Sequence, residues 1–168
     1  MPNLRIIEII EGTSVDGPGL RTSIYFAGCT HHCPGCQNPQ TWPPEAGSDM
    51  SIDDVMKIIE YNDFNVTFSG GDPLMQIDGV LELAKRIIGI KKSIWLYTGY
   101  TYEELVCSDR LRPVLSLVDV IVDGRFRESL RDESLLFRGS SNQRIIDMHK
   151  SSSNNIVLWD EEEINKKF

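Results

Sequence analysis

Three of the four cysteines lie within eight residues of one another and carry the strongest chemical signal in the sequence. Cys29, Cys33 and Cys36 are spaced C-x3-C-x2-C, close enough for their thiolates to meet at one inorganic cluster. Thiolates are the usual ligands of iron–sulfur clusters, and a cubane cluster normally takes four of them. With three local ligands, one iron would lack a protein ligand and could bind a substrate, like the open position of a catalytic zinc site.

Two other arrangements are compatible with this segment. His31 or His32 could complete a Cys3His zinc site, although structural zinc sites usually take two separated pairs of ligands and no second pair follows. Cys107 could supply a fourth thiolate to a cluster that only carries electrons. Its helical phase in TYEELVC, near Leu105, instead predicts a buried free cysteine. We interpret both histidines as loop residues and assign neither as a ligand.

Helical and strand-like segments alternate along the chain. Apolar residues recur with helical spacing after Ser51 and from Ile77, and a third helix is predicted to begin at Thr101. Strand-length apolar runs separate these helices at 22–27, 66–68, 93–97 and 118–122, with further candidates at 6–10, 144–146 and 156–159. Alternation of this kind is typical of parallel β/α units. The predicted fold class is therefore α/β, built from parallel β/α units.

Length and charge exclude several classes of protein. The 168 residues predict a single domain over 1–168, with a frayed charged tail at 160–168, and are too few for a complete eight-fold barrel of about 250 residues. A net charge of −8 disfavours nucleic-acid binding. No apolar run approaches the roughly 20 residues that span a bilayer, so no membrane contact is expected. No secretory signal is recognisable either, which predicts a cytoplasmic protein.

Small and polar residues follow three of the predicted strands, at the edge of the sheet where ligands bind in parallel β/α folds. Gly70, Gly71 and Asp72 follow 66–68, Thr98 follows 93–97, and Asp123 follows 118–122. Each motif alone is more typical of a turn than of a site. A Gly-Gly pair nevertheless lets the backbone approach a ligand closely, because no β-carbon intervenes. Backbone carbonyls there could accept hydrogen bonds from an ammonium group.

Taken together, these motifs resemble the radical S-adenosylmethionine superfamily, in which C-x3-C-x2-C follows the first strand and a Gly-Gly-acid turn follows the second. Five segments are similar to the activating proteins of anaerobic ribonucleoside-triphosphate reductase: VDGPGLRTSIYFAGCTHHCPGCQNPQTW, TFSGGDPL, LYTGY, VDGRF and FRGSSNQRIIDM. They are spread over 15–148, which is most of the chain. The resemblance implies an open partial (β/α) barrel of about five or six units. Related activases of pyruvate formate-lyase share the early motifs but are longer and lack FRGSSNQ.

The resemblance implies a set of site residues. One [4Fe–4S] cluster would be held by Cys29, Cys33 and Cys36, and its fourth iron would chelate the amino and carboxylate groups of S-adenosylmethionine. Residues implied to lie in the two segments that contact this cofactor are Gly35, Cys36 and Gln37 in the cysteine loop, and Gly70, Gly71 and Asp72 in the turn receiving the methionyl amino group. Thr98 and Asp123 are further candidate contacts. Gln37 stands where an aromatic residue is usual, and Asp72 replaces the more frequent Glu.

The resemblance also implies a reaction. An external low-potential electron donor, such as flavodoxin or ferredoxin, would deliver one electron through the cluster to cleave the C5′–S bond of S-adenosylmethionine. The resulting 5′-deoxyadenosyl radical would remove a hydrogen atom from one glycine of the partner, the catalytic subunit of anaerobic ribonucleoside-triphosphate reductase. An open barrel would let a loop of that partner reach the cofactor. Two alternatives are an activase of another glycyl-radical enzyme, such as pyruvate formate-lyase, and a non-enzymatic iron–sulfur electron carrier.

Overall fold

The fold is built on one seven-stranded sheet with helices on one face. The computed structural model describes residues 2–160. Within them the sheet has the order β3-β1-β2-β4-β5-β6-β7. The strands are β1 (Asn3–Thr13), β2 (Arg21–Phe26), β3 (Ser48–Ser51), β4 (Asn65–Gly70), β5 (Ile94–Tyr97), β6 (Val120–Asp123) and β7 (Arg144–Asp147). The helices are α1 (Ile52–Asn62), α2 (Ile77–Gly89) and α3 (Tyr102–Cys107).

The centre of the sheet is parallel and its edges are antiparallel. Strands β2, β4, β5 and β6 run in one direction, and helices follow β4 and β5 directly. Strand β1 pairs antiparallel with both β2 and β3, and β7 pairs antiparallel with β6. Strands β3 and β7 do not pair with each other, so the sheet stays open. The prediction of an open α/β architecture is confirmed, with β/α units at its centre and antiparallel strands completing both sides.

The helices begin at the residues that the sequence indicated. The side chain of Ser51 accepts a hydrogen bond from the backbone N–H of Asp54, which caps α1. Thr101 caps α3 in the same way through the N–H of Glu104. Helix α1 ends at Asn62, because the next residue, Asp63, has a left-handed φ of 57° and cannot continue the helix. These caps orient both helices where they leave the sheet.

A continuous apolar core lies between the helices and one face of the sheet. Phe26 and Phe68, on the neighbouring strands β2 and β4, are fully buried and meet edge to face with ring centroids 5.4 Å apart. Burying a side chain of this size contributes roughly 1.5–3 kcal/mol. Apolar stripes of α1 and α2 cover these strands, with Ile59 and Leu83 fully buried. The core therefore fixes the positions at which the parallel strands end.

The opposite face carries a smaller aromatic cluster near the beginning of β5. Trp95 packs edge to face against Phe137 and Trp159, which come from the chain after β6. Arg21 is 1% exposed and lies with its guanidinium 5.6 Å from the centre of the Trp95 ring. It donates hydrogen bonds to the Thr67 hydroxyl and to backbone carbonyls, and no described carboxylate forms an ion pair with it. Burial lowers the pKa of Arg21 to about 10.

Two local expectations from the sequence are wrong, and one strand was not expected. The segment 156–159 forms only an isolated bridge between Ile146 and Leu158, whereas the polar segment Ser48–Ser51 forms edge strand β3. Cys107 is exposed, so the prediction of a buried cysteine is wrong. Residues two apart on a helix point to nearly opposite sides, so Cys107 lies away from the buried Leu105.

Two further expectations concern the tail and the membrane. Most of the tail predicted at 160–168 lies outside the described residues, and only Asp160 falls within them. Within residues 2–160, no helix combines the length and the apolar character that crossing a bilayer requires.

Candidate functional site

A cavity of about 530 Å³ opens at the carboxyl ends of β4, β5 and β6. Its size falls in the range of small-molecule and cofactor sites. Seven of the predicted site residues line it: Cys29, Cys33, Cys36, Gln37, Gly70, Gly71 and Thr98. Gly35, Asp72 and Asp123 do not line it, although each lies beside a residue that does. The structure thus brings the cysteine motif and two strand-end motifs to one cavity.

The cysteine motif forms a loop over residues 28–38, which we call the cluster loop. Its first residues are held by backbone hydrogen bonds, from Gly28 to the carbonyl of Thr41 (2.7 Å) and from Cys29 to that of Trp42 (3.1 Å). The His32 ring stacks on Trp42 with a centroid distance of 4.5 Å and an angle of 13° between the planes. Positive φ values at Gly28, His32 and Gly35 let the chain coil tightly. The cluster loop is therefore anchored at its start and at its middle.

A backbone amide donates to one sulfur of the motif, since the N–H of Asn38 lies 3.4 Å from Cys36 Sγ. At the other two thiols, backbone amides act to lower the pKa: that of Phe126 at Cys33, and those of His31 and His32 at Cys29. Hydrogen bonds of this kind stabilise thiolate ligands and tune the potentials of iron–sulfur clusters. The donor set therefore fits a group held by three thiolates.

The three thiols of the motif are partly shielded from water. Burial raises the pKa of Cys29 and of Cys33, and this effect outweighs the amide hydrogen bonds that lower it. All three thiols are half-buried and open on the cavity. Within residues 2–160, no three His, Cys, Asp or Glu side chains converge closely enough to share a single metal ion. Three cysteine thiols on one cavity are the kind of donors that iron–sulfur clusters use.

The Gly-Gly turn after β4 packs directly on the cluster loop and on β2. A β-carbon on Gly70 would overlap the backbone of Phe26, and one on Gly71 would overlap the carbonyl of Gly28. The close approach is held by hydrogen bonds from Gly71 N to Phe26 O (2.9 Å) and from Asp72 N to Gly28 O (2.8 Å). Gly70 also has a φ of 101°, which side chains rarely allow. Both glycines are needed for backbone packing whether or not a ligand is bound.

Asp72 joins three parts of the site. It is 1% exposed, and its carboxylate accepts hydrogen bonds from Leu74 N (3.0 Å) and Gly99 N (3.0 Å). The hydroxyl of Thr98 donates to it at 2.9 Å, and Nε2 of His31 lies 2.7 Å from Oδ2. These donors belong to the turn after β4, the end of β5 and the cluster loop. Asp72 therefore lies where these three segments meet.

Asp123 fastens the end of β6 to the start of α3. It is 1% exposed and accepts hydrogen bonds from Tyr102 N (2.8 Å) and Arg144 Nε (3.1 Å). Arg144 also pairs with Glu103 at 2.7 Å. The hydrogen bonds with these two carboxylates raise the pKa of Arg144, and the bond to Arg144 lowers the pKa of Glu103. The Asp123 carboxylate is thus committed to contacts within the fold.

A family model for a 4Fe-4S single cluster domain matches residues 15–146. The chain is 40% identical over 141 residues to the anaerobic ribonucleoside-triphosphate reductase-activating protein of Escherichia coli (strain K12), covering 77% of this chain and 89% of that protein. The chain belongs to this family of activating proteins. The resemblance seen in the sequence is therefore confirmed.

Other members of the activating-protein family align over a similar span. The protein of Haemophilus influenzae is 37% identical over 143 residues, covering 78% of this chain and 90% of that protein. The protein of Enterobacteria phage T4 is 34% identical over 140 residues, covering 78% and 86%. A crystal structure of QueE from Escherichia coli superposes with a TM-score of 0.50 at 19% identity, covering 59% of this chain and 53% of that one. QueE therefore shares the fold.

One wall of the cavity was not identified from the sequence as part of the site. The segment 124–143 crosses the cavity, and Arg125, Phe126 and Arg138 line it. Gln143 holds this segment in shape, because its side chain accepts from Gly139 N (2.9 Å) and donates to Gly124 O (3.0 Å). FRGSSNQ contributed to the resemblance, but a Gly/Ser turn carries no chemical signal of its own. The recurrence of arginines over 125–138 is a signal that could have indicated this wall, but it was not used to predict the site.

Proposed function

We propose that this chain activates anaerobic ribonucleoside-triphosphate reductase by generating a glycyl radical on its catalytic subunit. The observation that carries the proposal is the opening of three cysteine thiols on one cavity, beside a Gly-Gly turn at the ends of parallel strands. The names of the relatives support the choice of partner, and the family model supports a [4Fe–4S] cluster. The activity would make the chain a radical S-adenosylmethionine oxidoreductase.

In this proposal the chain binds the cluster and S-adenosylmethionine, orients them, and shields them from water. Cys29, Cys33 and Cys36 would hold the cluster, and the backbone amides beside their sulfurs oppose the effect of burial, which disfavours the thiolate form. Together the cluster and S-adenosylmethionine supply a one-electron reductive cleavage that yields a radical able to take a hydrogen atom from glycine. The protein needs no acid–base pair for this chemistry, only a fixed cavity that limits the access of water.

The remaining predicted site residues have two kinds of role. Gln37, Gly70, Gly71 and Thr98 face the cavity, and we propose them as contacts of S-adenosylmethionine. The two glycines have no side chain on the cavity side, so a ligand could approach their backbone closely. Asp123 instead has a structural role away from the cofactor. Its carboxylate accepts hydrogen bonds from Tyr102 N and Arg144 Nε, and so joins the end of β6 to the start of α3. The sheet is open between β3 and β7, and we propose that a loop of the partner approaches the cofactor through this opening.

The proposal is tested by anaerobic reconstitution with iron and sulfide, followed by reduction with flavodoxin, ferredoxin or dithionite. With S-adenosylmethionine we expect 5′-deoxyadenosine, and with the reductase we expect a glycyl radical seen by electron paramagnetic resonance and destroyed by air. Activation of pyruvate formate-lyase but not of the reductase would reverse the choice of partner. A full cluster that never cleaves S-adenosylmethionine would instead favour an electron carrier.

A further inference from the structure

We propose that His31 is a positioning residue that acts through Asp72, tying the cluster loop to the two strand ends that face the cavity. The catalytic role of His31 rests on the proposed function, whereas its contact with Asp72 is a feature of the fold. His31 lies between Cys29 and Cys33 in the chain, and its partner Asp72 lies 41 residues later. No other side chain of the cluster loop is described in contact with the Asp72 carboxylate.

The His31–Asp72 contact is almost completely shielded from water. The exposed fractions of the two side chains are 6% and 1%, and Nε2 lies 2.7 Å from Oδ2. An ionised carboxylate only accepts, so the His31 tautomer with hydrogen on Nε2 donates. A buried hydrogen bond to a charged group is worth more than an exposed one, and losing one partner leaves the other unsatisfied. The pair is therefore costly to break.

The residues that follow β5 also hold the imidazole of His31 in position. Its ring packs edge to face on Tyr100, with centroids 4.7 Å apart and planes at 79°. A β-carbon on Gly99 would overlap the ring, so the backbone at Gly99 lies directly against the imidazole. The N–H of the same Gly99 donates to Asp72. The ring, the strand end and the carboxylate thus fix one another.

The donors around Asp72 indicate that it acts by positioning and not as a direct ligand of the cofactor. A carboxylate offers about four lone-pair sites. Four groups already donate to Asp72: Leu74 N, the Thr98 hydroxyl, Gly99 N and His31 Nε2. The side chain does not line the cavity either. An ammonium group could reach it only by displacing one of these donors, whereas the neighbouring glycine backbone is directly accessible.

A double-mutant cycle distinguishes positioning by Asp72 from a direct contact between Asp72 and the cofactor. We would compare His31→Leu, Asp72→Asn and the double variant, measuring the dissociation constant for S-adenosylmethionine and the rate of iron loss to a chelator. Each single change should raise both quantities about tenfold, and the double variant should be no worse than either single one. His31→Gln, which keeps a donor, should recover most of the loss. Effects of the two changes that multiply would overturn the proposal in favour of a direct Asp72–cofactor contact.

A matched control exists elsewhere in the chain. His149 Nε2 lies 2.5 Å from Asp119 Oδ1, but that histidine side chain is 74% exposed and remote from the cavity. His149→Leu removes a histidine–carboxylate contact of the same chemistry and should leave cofactor affinity and iron loss unchanged. An equal effect of His149→Leu and His31→Leu on iron loss would contradict the proposal.

Hydrogen exchange of the cluster-free protein provides a readout that does not depend on the proposed function. His31→Leu should accelerate exchange in the cluster loop and at Gly99, while circular dichroism and exchange in the helices stay as in the wild type. Unchanged exchange in the cluster loop would overturn the inference. Failure of the wild-type protein to cleave S-adenosylmethionine would overturn the proposed function alone, because the exchange result would still stand.

Discussion

The carbonyl oxygen of Gly28 occupies the space that a β-carbon on Gly71 would need. Because this contact joins the turn after β4 to the cluster loop, we expect Gly71→Ala to displace the loop as well as the turn. Iron and sulfide content after reconstitution should fall to less than half, even before cofactor binding is measured. Full cluster content together with weakened S-adenosylmethionine binding would show instead that Gly71 matters only on the cavity side.

Gly89 offers the matched control for this change. A β-carbon on Gly89, at the end of α2, would meet no heavy atom within 4 Å. Gly89→Ala should leave the cluster content unchanged and raise the free energy of unfolding by roughly 0.5–1 kcal/mol, since alanine is the better helix former. Comparing Gly71→Ala with Gly89→Ala distinguishes the general effect of replacing a glycine from the effect of disturbing the contact between Gly71 and Gly28.

The cysteines divide into three that face the cavity and one that does not. Replacing Cys29, Cys33 or Cys36 with serine should abolish the cluster in each case, because two thiolates remain. Cys107→Ser should retain iron and sulfide, since Cys107 is exposed at the end of α3. Iron content, sulfide content and the visible absorption spectrum check the result. A cluster lost in Cys107→Ser but kept in one of the others would contradict the ligand assignment.

The ion pair of Glu103 with Arg144 predicts a pH dependence of stability. The hydrogen bond from Arg144 lowers the pKa of Glu103 below its ordinary value of 4.5. The stabilisation is therefore fully present above about pH 4.5 and is lost as the pH falls through the lowered value. Because the Glu103 side chain is 60% exposed, the pair should contribute less than about 1 kcal/mol.

We expect Glu103→Gln to lower the free energy of unfolding at pH 7 and to make no difference near the acid end of the titration. Urea unfolding at several pH values measures both. Glu60→Gln, at an exposed position on α1, removes one negative charge away from the Arg144 pair and serves as the control. A Glu103→Gln effect that persists unchanged in acid would show that packing, not charge, is responsible.

Gln143 should be required for the cavity wall formed by 124–143. Its side chain is hydrogen-bonded to Gly139, Ser140 and Gly124, so Gln143→Ala would leave several backbone groups without these partners. We expect a loss of roughly 1–3 kcal/mol in stability and weaker S-adenosylmethionine binding, with the cluster content preserved. Calorimetry and equilibrium dialysis test the two effects. Unchanged cofactor affinity in a destabilised variant would show that the segment 124–143 does not contribute to cofactor binding.

The sequence was most informative where a local pattern determines the structure. The caps at Ser51 and Thr101 were identified from side chains that act within three residues. Strand β3 was missed because its residues are polar and its formation depends on the free edge of β1. Cys107 was misassigned because helical phase was judged over two residues, a separation that points to opposite sides.

For the candidate site, the residue types were visible in the sequence but their partners were not. The motifs predicted that the cysteines and the Gly-Gly turn would meet, because strand ends share one edge of the sheet. Nothing local indicated that the Asp72 carboxylate would be enclosed by protein donors or that His31 would be one of them. Such contacts join residues far apart in the chain and follow from tertiary packing.

The order of strands in the sheet also bears on how the chain folds. From β4 onward each strand pairs with the next one along the chain, as Val66 does with Ile94 and Trp95 with Val120. Joining β2 to β4 closes a longer segment that contains the whole cluster loop, since Arg21 pairs with Asn65. Shorter closures cost less entropy and tend to form earlier. We therefore expect β4 to β7 to fold without iron and the metal to be delivered late, to a scaffold already in place.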